Sequence, residues 1–189
     1  NAKFSNLISD FNNSESYQNN GKSYKYLHKT LKREILHRDS AILGFFDIAK
    51  PNDYILLSDL DEIPSPKAIK EAILRSDEEI CYLKMEWYLY WINNKISRPW
   101  FGSVLLKFKY LQGRSLSSIR YSSSDETKVP GNIIKKGGWH FSFFGDINKI
   151  KNKIKNFSHT ELSPFGDESN TAIVEKIIDS KDIFNRNDI

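Results

Sequence analysis

The clearest helical periodicity in the chain runs from Tyr24 to Ala49, where Leu27, Leu31, Ile35, Ile42, Phe45 and Phe46 recur at near-helical spacing among charged positions. The period then changes. Tyr54 to Leu57 is an apolar run without polar alternation, the pattern of a strand buried on both faces. Pro64 and Pro66 are expected to stop that strand, because proline cannot donate to a sheet ladder, and Ser65-Pro66 to open a second helix through about Leu74. Glu79 to Asn93 is long, aromatic and strand-like, with Val104 to Tyr110 as its partner. Arg114 to Pro130 has no periodicity and reads as a loop, as does the Asn/Ser-rich segment 10–23, which the composition predicts to be mobile. Two further helices are expected, from about Asp146 to Phe157 and from about Thr171 to Ile178. The order β–α–β–β with flanking helices predicts a mixed α/β layer fold, and 189 residues suffice for one domain with a substantial core.

Bulk properties narrow the function. The net charge of +4 suits a phosphorylated ligand but is too small and dispersed to argue for nucleic acid. No apolar run approaches the length of a membrane span, and no signal-peptide pattern follows Asn1. Beginning without Met, the chain reads as a fragment or a processed form. Cys81 is the only cysteine, which excludes an internal disulfide and a cysteine-based zinc site. Together with the Asn/Lys/Ile-rich composition, that single thiol leans to a cytoplasmic bacterial or viral enzyme rather than a secretory one.

Two segments carry chemistry. Ser58-Asp-Leu-Asp-Glu-Ile-Pro64 ends the apolar strand in three carboxylates, Asp59, Asp61 and Glu62. Ligands of open α/β sheets bind beyond the carboxyl ends of strands, and crowded carboxylates there repel unless a positive charge sits among them. A divalent cation with oxygen ligands is the cheapest answer; a solvated turn is the plain alternative. In Gly137-Gly-Trp-His-Phe-Ser142, adjacent glycines would let backbone approach a ligand, Trp139 offers a stacking face and His140 a metal or phosphate contact. Taken alone, His140 reads equally as a structural histidine, and the basic face Lys149, Lys151, Lys153 and Lys155 as a solvated one.

Joined in order, an Arg-Glu…Arg helix (Arg33, Glu34, Arg38), Ser58–Pro64, Gly137–Ser142 and Ser158-His159-Thr160-Glu161 resemble glycosyltransferase family 17 over roughly residues 24–180. The resemblance implies an α/β fold of the GT-A nucleotide-sugar-binding type, with a mixed central sheet flanked by helices. It implies an inverting transferase that takes a UDP-sugar donor and a carbohydrate acceptor, uses Mn²⁺ or Mg²⁺, and transfers N-acetylglucosamine. This chain departs from the family in having His37 before the second arginine and Phe141 and Phe143 where cysteines are usual. The family's first strand is missing, or is cut off ahead of Asn1.

On that reading Asp61 is the direct metal ligand, Asp59 contacts the ribose or a metal-bound water, and His140 or His159 is a distal ligand. Arg33 and Arg38 are candidate phosphate contacts; five residues apart, they diverge by about 140° on a helix, so one of them faces the site. Glu161, Asp146 and Glu86 compete as the base that deprotonates the acceptor, with Glu161 preferred. Trp87, Tyr88, Tyr90, Trp91 and Trp100 are candidate sugar-stacking faces. Two other functions stay open: a non-catalytic carbohydrate-binding relative, and a metal-dependent phosphodiesterase built on Asp59, Asp61, Glu62 and His140.

Overall fold

In a computed structural model, which describes residues 29–75, 80–120, 126–155, 170–179 and 181, the chain builds a curled mixed sheet with helices packed on it. Helix α1 (Lys29–Ser40) passes through a 3-10 turn to strand β1 (Tyr54–Leu57). Then come β2 (Glu62–Pro64), α2 (Pro66–Arg75), β3 (Cys81–Leu89), β4 (Lys95–Trp100) and β5 (Val104–Lys107). The rest is α3 (Leu116–Arg120), β6 (Asn132–Ser142), α4 (Ile147–Lys155) and α5 (Asn170–Ile178). The strand order is β1-β5-β3-β6-β2, with β4 also on β3. β3 and β6 run parallel and every other pairing is antiparallel.

β3 is the spine of the sheet. Its odd positions Cys81, Leu83, Met85, Trp87 and Leu89 are all buried, while Lys84, Glu86 and Tyr88 are half-buried. Against Cys81, Leu83, Met85, Leu105 and Ile134 packs α2, through the small residues Ala68 and Ala72. Each fully buried Leu or Ile there contributes about 1.5–3 kcal/mol relative to exposure. A second cluster gathers Tyr82, Val104 and Leu106 with Leu116 and Ile119 of α3. A third sets Ile150 and Ile154 of α4 and Ile177 of α5 against Trp87, Leu89 and Phe143.

Four sequence expectations change. β1 is not buried on both faces: it is an edge strand of the described sheet, with Tyr54 and Leu56 each 40% exposed. A four-residue apolar run cannot distinguish edge from centre, and the strand start covered on both sides is that of β3. Pro64 does not end the strand order but lies within β2, at the opposite edge, where a missing N–H is tolerated. The stretch read as loop contains α3, four of whose five residues are buried. Helix α1 stops at Ser40 instead of running to Ala49. The segment 10–23 lies outside the described residues.

The paired glycines serve the sheet. A Cβ at Gly137 would stand 2.7 Å from the Leu83 carbonyl carbon, and one at Gly138 (φ 139°) would overlap the Ile63 carbonyl oxygen. They sit beside a bulge in β6, where Ile134 faces Leu83 but Gly138 already faces Met85. So the glycines admit neighbouring backbone rather than a ligand. The two extra residues keep the even positions on the buried face, where Ile134, His140 and Ser142 lie, and shift the register so that His140 stands opposite Trp87.

Candidate functional site

Between β1 and β2 the chain turns tightly, with the Glu62 N–H donating to the Asp59 carbonyl at 3.0 Å. The turn sends Glu62 inward, its side chain 0% exposed, and leaves Asp59 and Asp61 in the open at 40% and 32%. Inside, Glu62 accepts from Arg120 Nη2 at 2.5 Å, Trp100 Nε1 at 2.5 Å, Ser103 Oγ at 2.9 Å and the Asp59 backbone N–H at 3.0 Å. Arg120 also donates to the Gly102 carbonyl and to Asp59 Oδ2 at 2.6 Å. A side chain at Gly102 would overlap the Glu62 carboxylate, so only glycine closes this cradle. Burial by itself pushes the Glu62 carboxyl up, but the Arg120 guanidinium, Trp100 and the Asp59 amide outweigh it and hold it down at about 2.

The outer corner is looser. Arg38 Nη2 is 2.7 Å from Glu34 Oε1 and 3.7 Å from Asp59 Oδ2, so Arg38 is the helix arginine that reaches the site, while Arg33 is exposed on α1. Asp61 Oδ2 accepts from Lys153 Nζ at 2.8 Å, and Asp61 Oδ1 lies 3.6 Å from His140 Nδ1. His140 is 4% exposed, stacked on Trp100 at 4.2 Å between ring centroids, with Nε2 2.8 Å from Ser142 Oγ. Its Nδ1 is buried and has no hydrogen-bond partner among the described residues. Burial pushes the imidazole below its ordinary 6.5; Asp61 and Glu62 pull the other way without overcoming it. Among the described residues, the charge that relieves the three carboxylates comes from Arg38, Arg120 and Lys153.

A cation has two donors here, the Asp61 carboxylate and the orphaned His140 Nδ1. Two ligands about 2.1 Å from one octahedral ion stand roughly 3 Å apart, so Asp61 Oδ1 and His140 Nδ1, 3.6 Å apart, would close by about 0.6 Å around one hard or borderline ion completed by other oxygens. Among the described residues, no three His, Cys, Asp or Glu side chains are placed so that they could hold a metal ion together. His159 and Glu161 lie outside them.

Other predicted residues are dispersed. Asp146 caps α4, its Oδ1 accepting from the Lys149 N–H at 2.9 Å. Glu86 accepts from Lys95 Nζ at 2.5 Å and from the Tyr88 hydroxyl at 2.8 Å, and those bonds lower its pKa. Trp87 and Tyr90 are core residues and Tyr88 is half-buried; Trp91 and Trp139 are 49% and 41% exposed. The half-buried Trp100 spends its N–H on Glu62 and its ring on His140. Sequence reasoning missed Arg120 and the specific role of Lys153. Arg120 follows an i, i+3 apolar pair, Leu116 and Ile119, which was the sole hint of a buried helix around it.

A family model described as glycosyltransferase family 17 matches residues 5–186. No curated protein and no solved structure matches the chain.

Proposed function

Because the chain belongs to glycosyltransferase family 17, we propose that it is an inverting transferase with a GT-A-type fold that moves a sugar, N-acetylglucosamine first among candidates, from a UDP-sugar to a carbohydrate hydroxyl, with Mn²⁺ or Mg²⁺. The observation that carries the reading is the corner where Asp61 stands 3.6 Å from an unsatisfied buried imidazole nitrogen of His140. Asp61 and His140 are the residues that would hold the ion, with His159 as a further candidate. When bound, the ion supplies Lewis acidity toward the departing diphosphate. Arg38 offers a guanidinium for phosphate oxygens, and Asp59, steadied by Arg38 and Arg120, offers a carboxylate for a ribose hydroxyl. Trp139 presents an exposed ring for stacking. Glu161 is the preferred base for the acceptor proton. Asp146 is engaged as a helix cap, and the bonds from Lys95 and Tyr88 make Glu86 a weaker base.

Sugar transfer from UDP-sugars to glycan acceptors tests this, with Asp61→Ala beside the parent chain. The variant is expected to lose activity by about 10³-fold or more while its melting temperature stays within about 2 °C. Activity near the parent level with Mn²⁺ present would sink the metal assignment. Glycan binding by the parent without any transfer or donor hydrolysis would make the chain a carbohydrate-binding relative instead.

A further inference from the structure

Among the described residues, Lys153 is the cation paired with Asp61, and a ligand could displace it without dismantling the fold. Its backbone is fixed, since α4 is anchored by Ile150 and Ile154, 2% and 6% exposed, in the cluster with Trp87, Leu89 and Phe143. Its ammonium is not fixed. The side chain is 39% exposed, with Nζ 2.8 Å from Asp61 Oδ2 and 4.9 Å from the centre of the Phe143 ring. The four-carbon stem can swing that charge several ångströms with the helix at rest. Arg120 is its opposite, 7% exposed and bound to Glu62, Asp59 and Gly102 at once.

We infer that Lys153 is a resident counter-ion that a divalent cation must displace from Asp61, and that the diphosphate of the donor is the partner to which it moves. The inference rests on the metal-dependent reading above. Lys153 holds Asp61 Oδ2 while the ion would sit between Oδ1 and His140 Nδ1, so two positive charges a few ångströms apart repel across one carboxylate, and the ion meets Lys153 as a competitor in the donor-free chain. A nucleoside diphosphate brings oxygens of its own to the corner. Lys153 then keeps a partner while Asp61 is released, and ion and donor bind with positive coupling, each raising the affinity of the other by the same factor. The arrangement keeps Asp61 paired when the corner is empty and reserves tight ion binding for the donor complex.

The test is a titration of the chain with Mn²⁺ alone, following free aquo-Mn²⁺ by electron paramagnetic resonance, with melting temperatures measured alongside. Lys153→Met is expected to bind Mn²⁺ about 3- to 5-fold more tightly than the parent, the upper part of the range of a partly exposed ion pair. Lys149→Met removes the same charge from the same helix at a side chain 74% exposed, away from Asp61, and should change affinity less than about twofold. With saturating UDP the parent and Lys153→Met should converge; a persisting gap would overturn the exchange. Equal or weaker Mn²⁺ binding by Lys153→Met would overturn the competition. Asp61→Asn separates the two readings. If it loses Mn²⁺ while Lys153→Met equals the parent, this inference alone fails; if it binds Mn²⁺ as the parent does, the metal reading fails with it.

Discussion

Asp61 and Glu62 are consecutive residues with the same functional group, and the fold gives them opposite conditions. Glu62 is sealed at 0% exposure with donors from Arg120, Trp100, Ser103 and the Asp59 backbone. Asp61 is 32% exposed and holds one flexible lysine beside a histidine 3.6 Å away. The difference arises from the turn: β2 begins at Glu62, so its side chain follows the sheet's alternation inward while Asp61 remains on the loop. A sealed carboxylate with fixed partners cannot exchange them without unfolding, whereas an open one with a single lysine can. The inner carboxylate shapes the corner, and the outer one is available to a ligand.

The most direct way to break the inner half is Arg120→Met, which leaves Glu62 buried without its main counter-charge. Removing one partner of a buried pair typically costs about 3–5 kcal/mol, and urea denaturation should show a loss of that size with an unchanged slope. A loss below about 1 kcal/mol would mean that the cradle is held by Trp100, Ser103 and the Asp59 N–H without need of the guanidinium.

The same contrast has a pH signature. Glu62 titrates at about 2 in the folded chain against an ordinary 4.5, so its contribution is complete above pH 4.5 and is lost as pH falls from there toward 2. At about 1.4 kcal/mol per pH unit, the gap amounts to about 3 kcal/mol. Because the side chain is sealed, solvent screens little of it. In Glu62→Gln the stability difference from the parent should therefore shrink steadily between pH 5 and pH 2.5, followed by denaturation at fixed ionic strength. A difference that stays constant across that window would show that Glu62 is not held low.

How much of this was legible follows from which partners are local. The helix Pro66–Arg75, the apolar run Tyr54–Leu57 and the carboxylate turn were readable because proline, periodicity and a run of Asp and Glu are signals within a few residues. That Glu62 and not Asp59 or Asp61 would be sealed was not readable. Its partners Trp100, Ser103 and Arg120 are 38, 41 and 58 residues away. β4, with Pro99 inside it and few apolar residues, had no strand pattern of its own; it forms because Met85 to Tyr88 of β3 present an edge to pair with. The glycine pair was noticed for the right property, a close backbone approach, but the backbone that approaches belongs to Leu83 and Ile63. Lys153 looked like one member of a solvated face because the helical spacing of lysines says nothing about the loop 92 residues earlier that one of them meets.

The smallest expected effect is the one that sharpens the comparison most. Asp61→Asn keeps the size of the outer side chain, removes its charge and leaves Lys153 to solvent. A partly exposed ion pair contributes about 0–1 kcal/mol, so the variant should lose no more than about 1 kcal/mol in urea denaturation. Relieving repulsion among Asp59, Asp61 and Glu62 works in the opposite direction and can cancel even that. Set beside about 3–5 kcal/mol for Arg120→Met, such a near-zero value would mean that neighbouring charged contacts in one turn divide into structure and availability. A loss approaching that of Arg120→Met would instead make Asp61–Lys153 a structural bridge. A bridge of that strength would not yield to an incoming ion, so the same measurement bears on whether the outer corner is free to exchange its partner.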